Sequence, residues 1–386
     1  MSQYKEDIAE AKERLGAWWD HELIDRPIIS YWAAQPDVKL YELGNLLDYF
    51  DPFYLAEHWE GIDEALDEFE RVSKLMLFAE EAIPRFNPYY GPGIMASVFG
   101  IVPQYKSRTV WFQRDTDLKD LLPILEGTKL NANNEWFDRL VRITEIASQR
   151  GNGDYCIAMT DLGGILDVIS SFLGPTKLIL TMRRNPDLIH ACRQVILEKW
   201  MMVYERLQSI IEKYSFGCNS WLNLWWAKRW YPIQCDFSAF LSPRWFKEFV
   251  VDDIKAQAER FDYAIYHLDG PDALVHLDEL LKIDALDGIQ WVPGAGNELK
   301  SSETWMPVYK KIQNAGKSVI IDYFEQPERL PHFYNNLDPK YLFISTVFTD
   351  YFRAKFSVPE FAGGNAGEGS FRSFKKELRK KMKSKK

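Results

Sequence analysis

His267 and Asp269 stand two residues apart at the end of the apolar run Tyr263-Ala264-Ile265-Tyr266, and Gly270-Pro271 breaks the chain directly after them. Residues i and i+2 of a strand face the same side, so this imidazole and this carboxylate can reach one ion or one substrate. A histidine with a carboxylate ligates zinc or a similar divalent metal, and the same pair serves equally as a base with its orienting partner. The plainer reading is a core histidine held by hydrogen bonds and an aspartate that caps the next helix. A helical stretch, Asp272 to Ile283, leads into a second apolar run that ends Gln290-Trp291-Val292-Pro293-Gly294. Two successive strand, turn and helix units predict a parallel α/β fold with a site above the strand ends.

Eight apolar runs bounded by turn residues read as strands: Pro27 to Trp32, Ile94 to Gly100, Tyr155 to Thr160, Cys218 to Leu224, Tyr263 to Leu268, Gly288 to Val292, Ser318 to Tyr323, and Leu342 to Phe348. Eight strands predict a single (β/α)8 TIM barrel. The run Ile94 to Gly100, preceded by Tyr89-Tyr90-Gly91-Pro92-Gly93, reads equally as a short helix. Between the strands, helical signals cover Leu178 to Tyr214, Ser242 to Phe261 and Ser301 to Asn314. The stretch from residue 33 to 89 is too long for an ordinary loop and predicts an inserted helix, Gly61 to Phe78, over the barrel mouth. The expected organisation is one domain: a helical segment at 1–25, a barrel over 26–350 and a basic tail at 351–386.

In a parallel barrel the reacting groups come from the C-terminal strand ends and the loops after them. The strand map places Asp161, Asn219, Trp221, Asn223, Trp225, Trp226, Cys235, Asp236, His267, Asp269, Gln290, Trp291, Asp322, Tyr323, Glu325 and Thr346 there. Asp161, in Thr160-Asp161-Leu162-Gly163-Gly164, is also ordinary turn chemistry. The aromatic run from Trp221 to Tyr231 could stack on a flat or sugar-like ligand, with Lys228 and Arg229 meeting an anionic group, although a single tryptophan is more often core. Cys235 shows no neighbouring base that would make it a nucleophile. Gly294-Ala295-Gly296 could offer backbone amides to an anion.

With 386 residues, 46% of them hydrophobic, the chain can build a large core. A net charge of -9 argues against nonspecific nucleic-acid binding, and the basic residues after Phe371 read first as a solvated helix. No run of about 18 uncharged apolar residues occurs, and Met1 to Arg14 is charged, so no membrane span and a cytoplasmic location are expected. The four cysteines are too scattered for a CxxC motif and imply no disulfide framework. The oligomeric state stays open, a homodimer included.

Several motifs, taken in order, resemble the uroporphyrinogen decarboxylase-like superfamily over about residues 26–348. They are Thr160-Asp161-Leu162-Gly163-Gly164 through Gly174, Asp236-Phe237-Ser238 with Leu241-Ser242-Pro243, His267-Leu268-Asp269-Gly270, and Gln290-Trp291-Val292-Pro293-Gly294. The resemblance implies a single TIM barrel, a fold shared by porphyrin decarboxylases and by methyltransferases that work with corrinoid proteins or thiols; the fold does not select among these chemistries. Porphyrin decarboxylases of that family carry an arginine-rich segment where residues 26–35 here offer only Arg26. The thiol-directed methyltransferases hold zinc with a His-x-Cys pair and a further cysteine; this chain keeps His267, has Asp269 for the paired cysteine and has no cysteine after Cys235.

The resemblance therefore implies a nitrogen and oxygen site for zinc or another divalent metal, formed by His267 and Asp269 with Gln290 or Asp236. The chemistry it implies is removal of a methyl group from a small substrate and its transfer to a corrinoid on a partner protein. His267 and Asp269 would carry the reaction with Asp161 and Asp236 as polar supports. Trp221, Asn223, Trp225, Arg229, Gln290 and Trp291 would bind substrate. Two alternatives stand beside it: a decarboxylase of a small aromatic or pyrrolic acid, with Arg229 on a carboxylate, and a noncatalytic barrel that binds a flat ligand through its tryptophans.

Overall fold

Apolar strands alternate with returning helices through the second half of the chain, so that each new strand lies parallel to the last. The computed structural model describes residues 2–35, 38, 61–106, 109–131 and 133–347. Its strands are β1 (Ser30–Ala34), β2 (Met76–Glu80), β3 (Arg85–Phe86), β4 (Gln104–Lys106), β5 (Thr109–Trp111), β6 (Cys156–Ile157), β7 (Trp230–Gln234), β8 (Tyr263–Asp269), β9 (Gly288–Val292), β10 (Ser318–Ile321) and β11 (Leu342–Val347). A seven-stranded sheet runs in the order β2-β1-β11-β10-β9-β8-β7, parallel throughout except for β2, which is antiparallel to β1. A parallel pair β3-β6 and an antiparallel pair β4-β5 stand as separate ladders. Among the described residues no ladder joins these sheets into one closed ring.

Strand alternation sorts the core into two faces. Tyr231, Ile233, Tyr266, Leu268, Ile289, Trp291, Val319 and Ile321 belong to the large cluster beneath the helices. Trp230, Ile265, Ile320 and Phe343 belong to a second cluster on the opposite face. That second cluster is completed by the N-terminal helix Ile8–Trp19, whose buried stripe includes Leu15, Trp18 and Trp19. Trp18 packs on Phe343 at 5.8 Å, and Trp19 packs on Trp230 at 5.6 Å and on Tyr263 at 4.9 Å. Tyr263 opens β8, so this aromatic cluster plugs the N-terminal ends of the strands and leaves polar chemistry to the other end.

Two expected strands are corrected. Ile94 to Gly100 holds the single helical turn Met95–Val98, bracketed by Gly93 and Gly100 in left-handed conformations, φ 83° and 91°. Cys218 to Leu224 is a loop: Asn223, with φ 58°, turns the chain so that Cys218 and Trp226 exchange two backbone bonds. The strand in that region is β7, which contains Pro232 and lies at the end of the sheet order, the position where a strand tolerates proline. The helix expected to Phe78 stops at Leu75, where the chain becomes β2. The expected helix from Leu178 is two, Ile165–Arg184 and Pro186–Tyr214; the first is kinked at Gly174 and the second is capped by Asn185. Ser242 caps Pro243–Phe249, and a second helix, Val251–Ala258, follows. The stretch Asp272 to Ile283 holds a 3-10 turn and the short helix Leu277–Leu280, and Ser301 to Asn314 narrows to Met306–Asn314.

Among the described residues one helix, Ile165–Arg184, is long and apolar enough to cross a membrane by length and composition, and half of that window is buried inside the fold. Much of the insertion expected after β1, residues 39–60, and the tail 351–386 lie outside the described residues.

Candidate functional site

Parallel pairing sets Gln234 opposite His267 and His267 opposite Gln290, so three polar side chains from β7, β8 and β9 form one row on the inner face. The row continues at both ends. Gln234 Nε2 donates to Asp161 Oδ1 at 3.1 Å, and Gln290 Nε2 donates to Asp322 Oδ1 at 2.6 Å. Lys300 Nζ lies 3.1 Å from the same Asp322 oxygen. Because ionised Asp322 only accepts, the Gln290 amide is fixed with its Oε1 toward His267, whose Nδ1 lies in hydrogen-bond contact with it. His267 Nδ1 therefore carries the proton, and when the ring is neutral Nε2 keeps a free lone pair. An outer partner on one ring nitrogen that frees the other is how metal-binding histidines are oriented.

Asp236 and Asp269 stand close to the ring. One ligand atom from each of Asp236, His267 and Asp269 lies within 4.8 Å of the other two. Asp236 opens the 3-10 turn after β7, and Asp167 holds that turn by accepting the Asp236 and Phe237 N–H groups at 3.0 and 2.7 Å. Gly163 and Gly164 let the Asp161 loop approach: a Cβ on Gly163 would lie 2.5 Å from Gly93 Cα, and one on Gly164 would strike Asp167 and the Gln234 carbonyl. A cavity of about 240 Å³ opens beside Asp236, lined by Gly164, Asp167, Gln234, Phe237 and Phe240 among others.

Burial dominates the electrostatics here. It holds the Asp161 carboxyl up at about 7, helped by the charge of Asp236 and opposed by N–H bonds and His267. Asp167 is raised by burial and then by Asp236. Asp236 is raised by burial as well, but it is open to solvent at the mouth, which screens that effect. For His267, burial favours the neutral ring, yet Asp236, the Gln290 bond, Asp269 and Asp161 together outweigh it and raise the pKa. Asp322 runs the other way: burial would raise it, but Lys300 and the bonds it accepts hold it below the usual carboxylate range. The Cys235 thiol is pushed well up by burial and then by Asp167, so it stays protonated.

The structure brings Asp161, Asp236, His267, Asp269 and Gln290 together, with Trp221, whose ring lies 6.4 Å from that of His267. It places Asn223 one step away, its Oδ1 accepting from Arg85 Nε. Three expected binding residues lie elsewhere. Trp225 is in the aromatic plug, its carbonyl accepting from Trp19 Nε1 at 3.0 Å. Arg229, just before β7, is engaged by Glu205 and Glu212 at 2.9 and 2.5 Å. Trp291 follows Gln290 and so faces the other side of β9, packing on Trp305 at 5.0 Å. Arg26 is held by Glu80 and Glu81.

Arg85, Asp167, Gln234 and Lys300 also belong to this region, and the strand map of the sequence does not place them there. Asp167 carried a signal, as a carboxylate in the first helical turn after Gly163-Gly164. Gln234 had one too, two residues before Asp236 on what proves to be a strand. Arg85 and Lys300 had none, because only the pairing of distant strands brings them in.

This is an α/β fold with a mostly parallel sheet and a carboxylate and imidazole group at its C-terminal strand ends. The solved structures that share the fold include a methyltransferase from Methanosarcina mazei, with a TM-score of 0.58 and 12% sequence identity over 88% of this chain and 93% of that one. No protein-family model matches the chain. No curated protein matches it in sequence.

Proposed function

We propose that the chain is a methyltransferase of the uroporphyrinogen decarboxylase-like superfamily that demethylates a small substrate and passes the methyl group to a corrinoid on a partner protein. The Asp236, His267 and Asp269 group, oriented from behind by Gln290, Asp322 and Lys300, carries this reading. The fold shared with a methyltransferase supports it, and nothing comparable supports the carboxy-lyase alternative. Closure of the sheets into a full barrel belongs to the same proposal. The bonds from Met159 N to the Asn219 carbonyl and from Leu162 N to the Tyr231 hydroxyl, both 2.9 Å, favour it.

The donor set fits zinc or a similar divalent ion: one imidazole with a free Nε2 and two carboxylates. Bound there by Asp236, His267 and Asp269, the ion would polarise the oxygen or nitrogen from which the methyl group departs. The remaining work falls to the chain. Gln290 fixes the His267 tautomer. Asp161 Oδ1 accepts N–H groups from Gly163 and Gln234, a further backbone bond comes from Gly93, and burial keeps a proton on the carboxyl in spite of them. With a pKa of about 7, Asp161 holds that proton near neutral pH and can give it to the leaving oxygen or nitrogen. The methyl group departs without the bonding pair, and the proton neutralises the pair left behind.

Elemental analysis of chelator-free protein should find a divalent metal that His267→Ala loses along with methyl transfer to an added corrinoid acceptor. Wild-type protein that binds no divalent metal, with His267→Ala as active as wild type, overturns the proposal.

A further inference from the structure

Arg85 is a buried cation, 5% exposed, with no carboxylate within ion-pair distance among the described residues. Phe86, next in β3, belongs to the core beneath the helices, so Arg85 faces the other way. Its neighbours come from the loop before β7 and from the turn after β10. Asn223 Oδ1 accepts from Nε, the Trp221 carbonyl lies 3.4 Å from Nη2, and the Tyr323 hydroxyl stands alongside. The guanidinium carbon lies 5.8 Å from the Trp32 ring centre. A guanidinium offers about five N–H donors, so subtracting Asn223, Trp221 and Tyr323 leaves about two without an acceptor. Asp322, the acid whose charge acts on it among the described residues, is already held by Lys300 and Gln290.

An unpaired charge in this position is costly, and burial works against it first. Two residues beside it, Asn223 and Tyr323, also adopt left-handed backbone conformations, φ 58° and 48°, that non-glycine residues rarely hold. Cost and strain together mark a group kept for a ligand. Trp221 touches both groups, its carbonyl 3.4 Å from this guanidinium and its ring 6.4 Å from that of His267, and Trp32 supplies a second aromatic face.

We propose that Arg85 anchors the carboxylate of a small aromatic acid, with Trp32 and Trp221 as the walls of its subsite and the ligand's far end directed toward His267. Naming the far end as the methylated one rests on the methyltransferase reading; the anchor itself does not. A planar carboxylate matches the fork of a guanidinium, and a charge-assisted bond of this kind is the strong class of hydrogen bond.

Isothermal titration of the full chain with benzoate, and with neutral benzamide as control, tests the anchor. Benzoate should bind and benzamide should bind at least about tenfold more weakly. Arg85→Met should lose roughly 10- to 100-fold in benzoate affinity while remaining folded, since it removes an uncompensated buried charge. Arg85→Lys keeps the charge without the fork and should fall between. His267→Ala should bind benzoate as wild type does, even if it transfers no methyl group, so failure of the reaction is seen separately from failure of the anchor. No benzoate binding by the wild-type protein, or equal binding by folded Arg85→Met or Arg85→Lys, overturns the proposal.

Discussion

Replacing Gln290 by leucine tests whether the polar row orients His267 or merely fills the core. The side chain is 1% exposed and makes two bonds, accepting from His267 Nδ1 and donating to Asp322 Oδ1 at 2.6 Å. A neutral buried hydrogen bond contributes about 1 kcal/mol and one to a carboxylate about 1.5–3 kcal/mol, so the variant should lose roughly 2.5–4 kcal/mol of stability in urea unfolding. A purely structural role would stop there. If Gln290 also holds the imidazole with Nε2 free, metal affinity should fall about 10- to 100-fold, or about 1.4–2.7 kcal/mol. Zinc competition against a chromophoric chelator at pH 7 separates the two effects. A variant that is destabilised as expected yet binds zinc like wild type would refute the orienting role.

Asp161 gives a pH signature. Its folded pKa, about 7, exceeds the ordinary carboxylate value, so the folded state holds a proton that the unfolded state has released. The linked stability is present in acid and is lost as pH rises through about 7, by up to about 4 kcal/mol. In metal-free protein, Asp161→Asn should therefore gain stability relative to wild type between pH 5 and pH 8; an equal difference at both values would remove the shift. Gly163 has φ 75° and faces Gly93 Cα, so Gly163→Ala should cost about 1–3 kcal/mol in thermal unfolding and disturb the Asp161 turn. An unperturbed melting temperature would contradict the close approach.

The residues the sequence located well are those whose placement is local. His267 and Asp269 share a face because strand side chains alternate, and β9 spans Gly288–Val292 as its apolar run implies. The same alternation, pursued one step further, puts Trp291 opposite to Gln290. Pro232 masks β7 in the sequence, and without that strand the aromatic run before it reads as strand and mouth.

By itself, then, the sequence determined that this chain builds parallel strands ending in polar groups, and which side of β8 carries an imidazole and a carboxylate. Periodicity and turn chemistry act over a few residues, so they are legible there. Only the tertiary structure decided that Trp225 plugs the opposite end and that Arg229 is spent on Glu205 and Glu212. It also decided that Asp322 and Lys300 stand behind Gln290, and that Arg85 has no carboxylate in ion-pair reach among the described residues. Those facts depend on strand order and on contacts that reach across separate elements, from 17 positions for Arg229 with Glu212 to 138 for Arg85 with Asn223, and no local pattern encodes such a meeting.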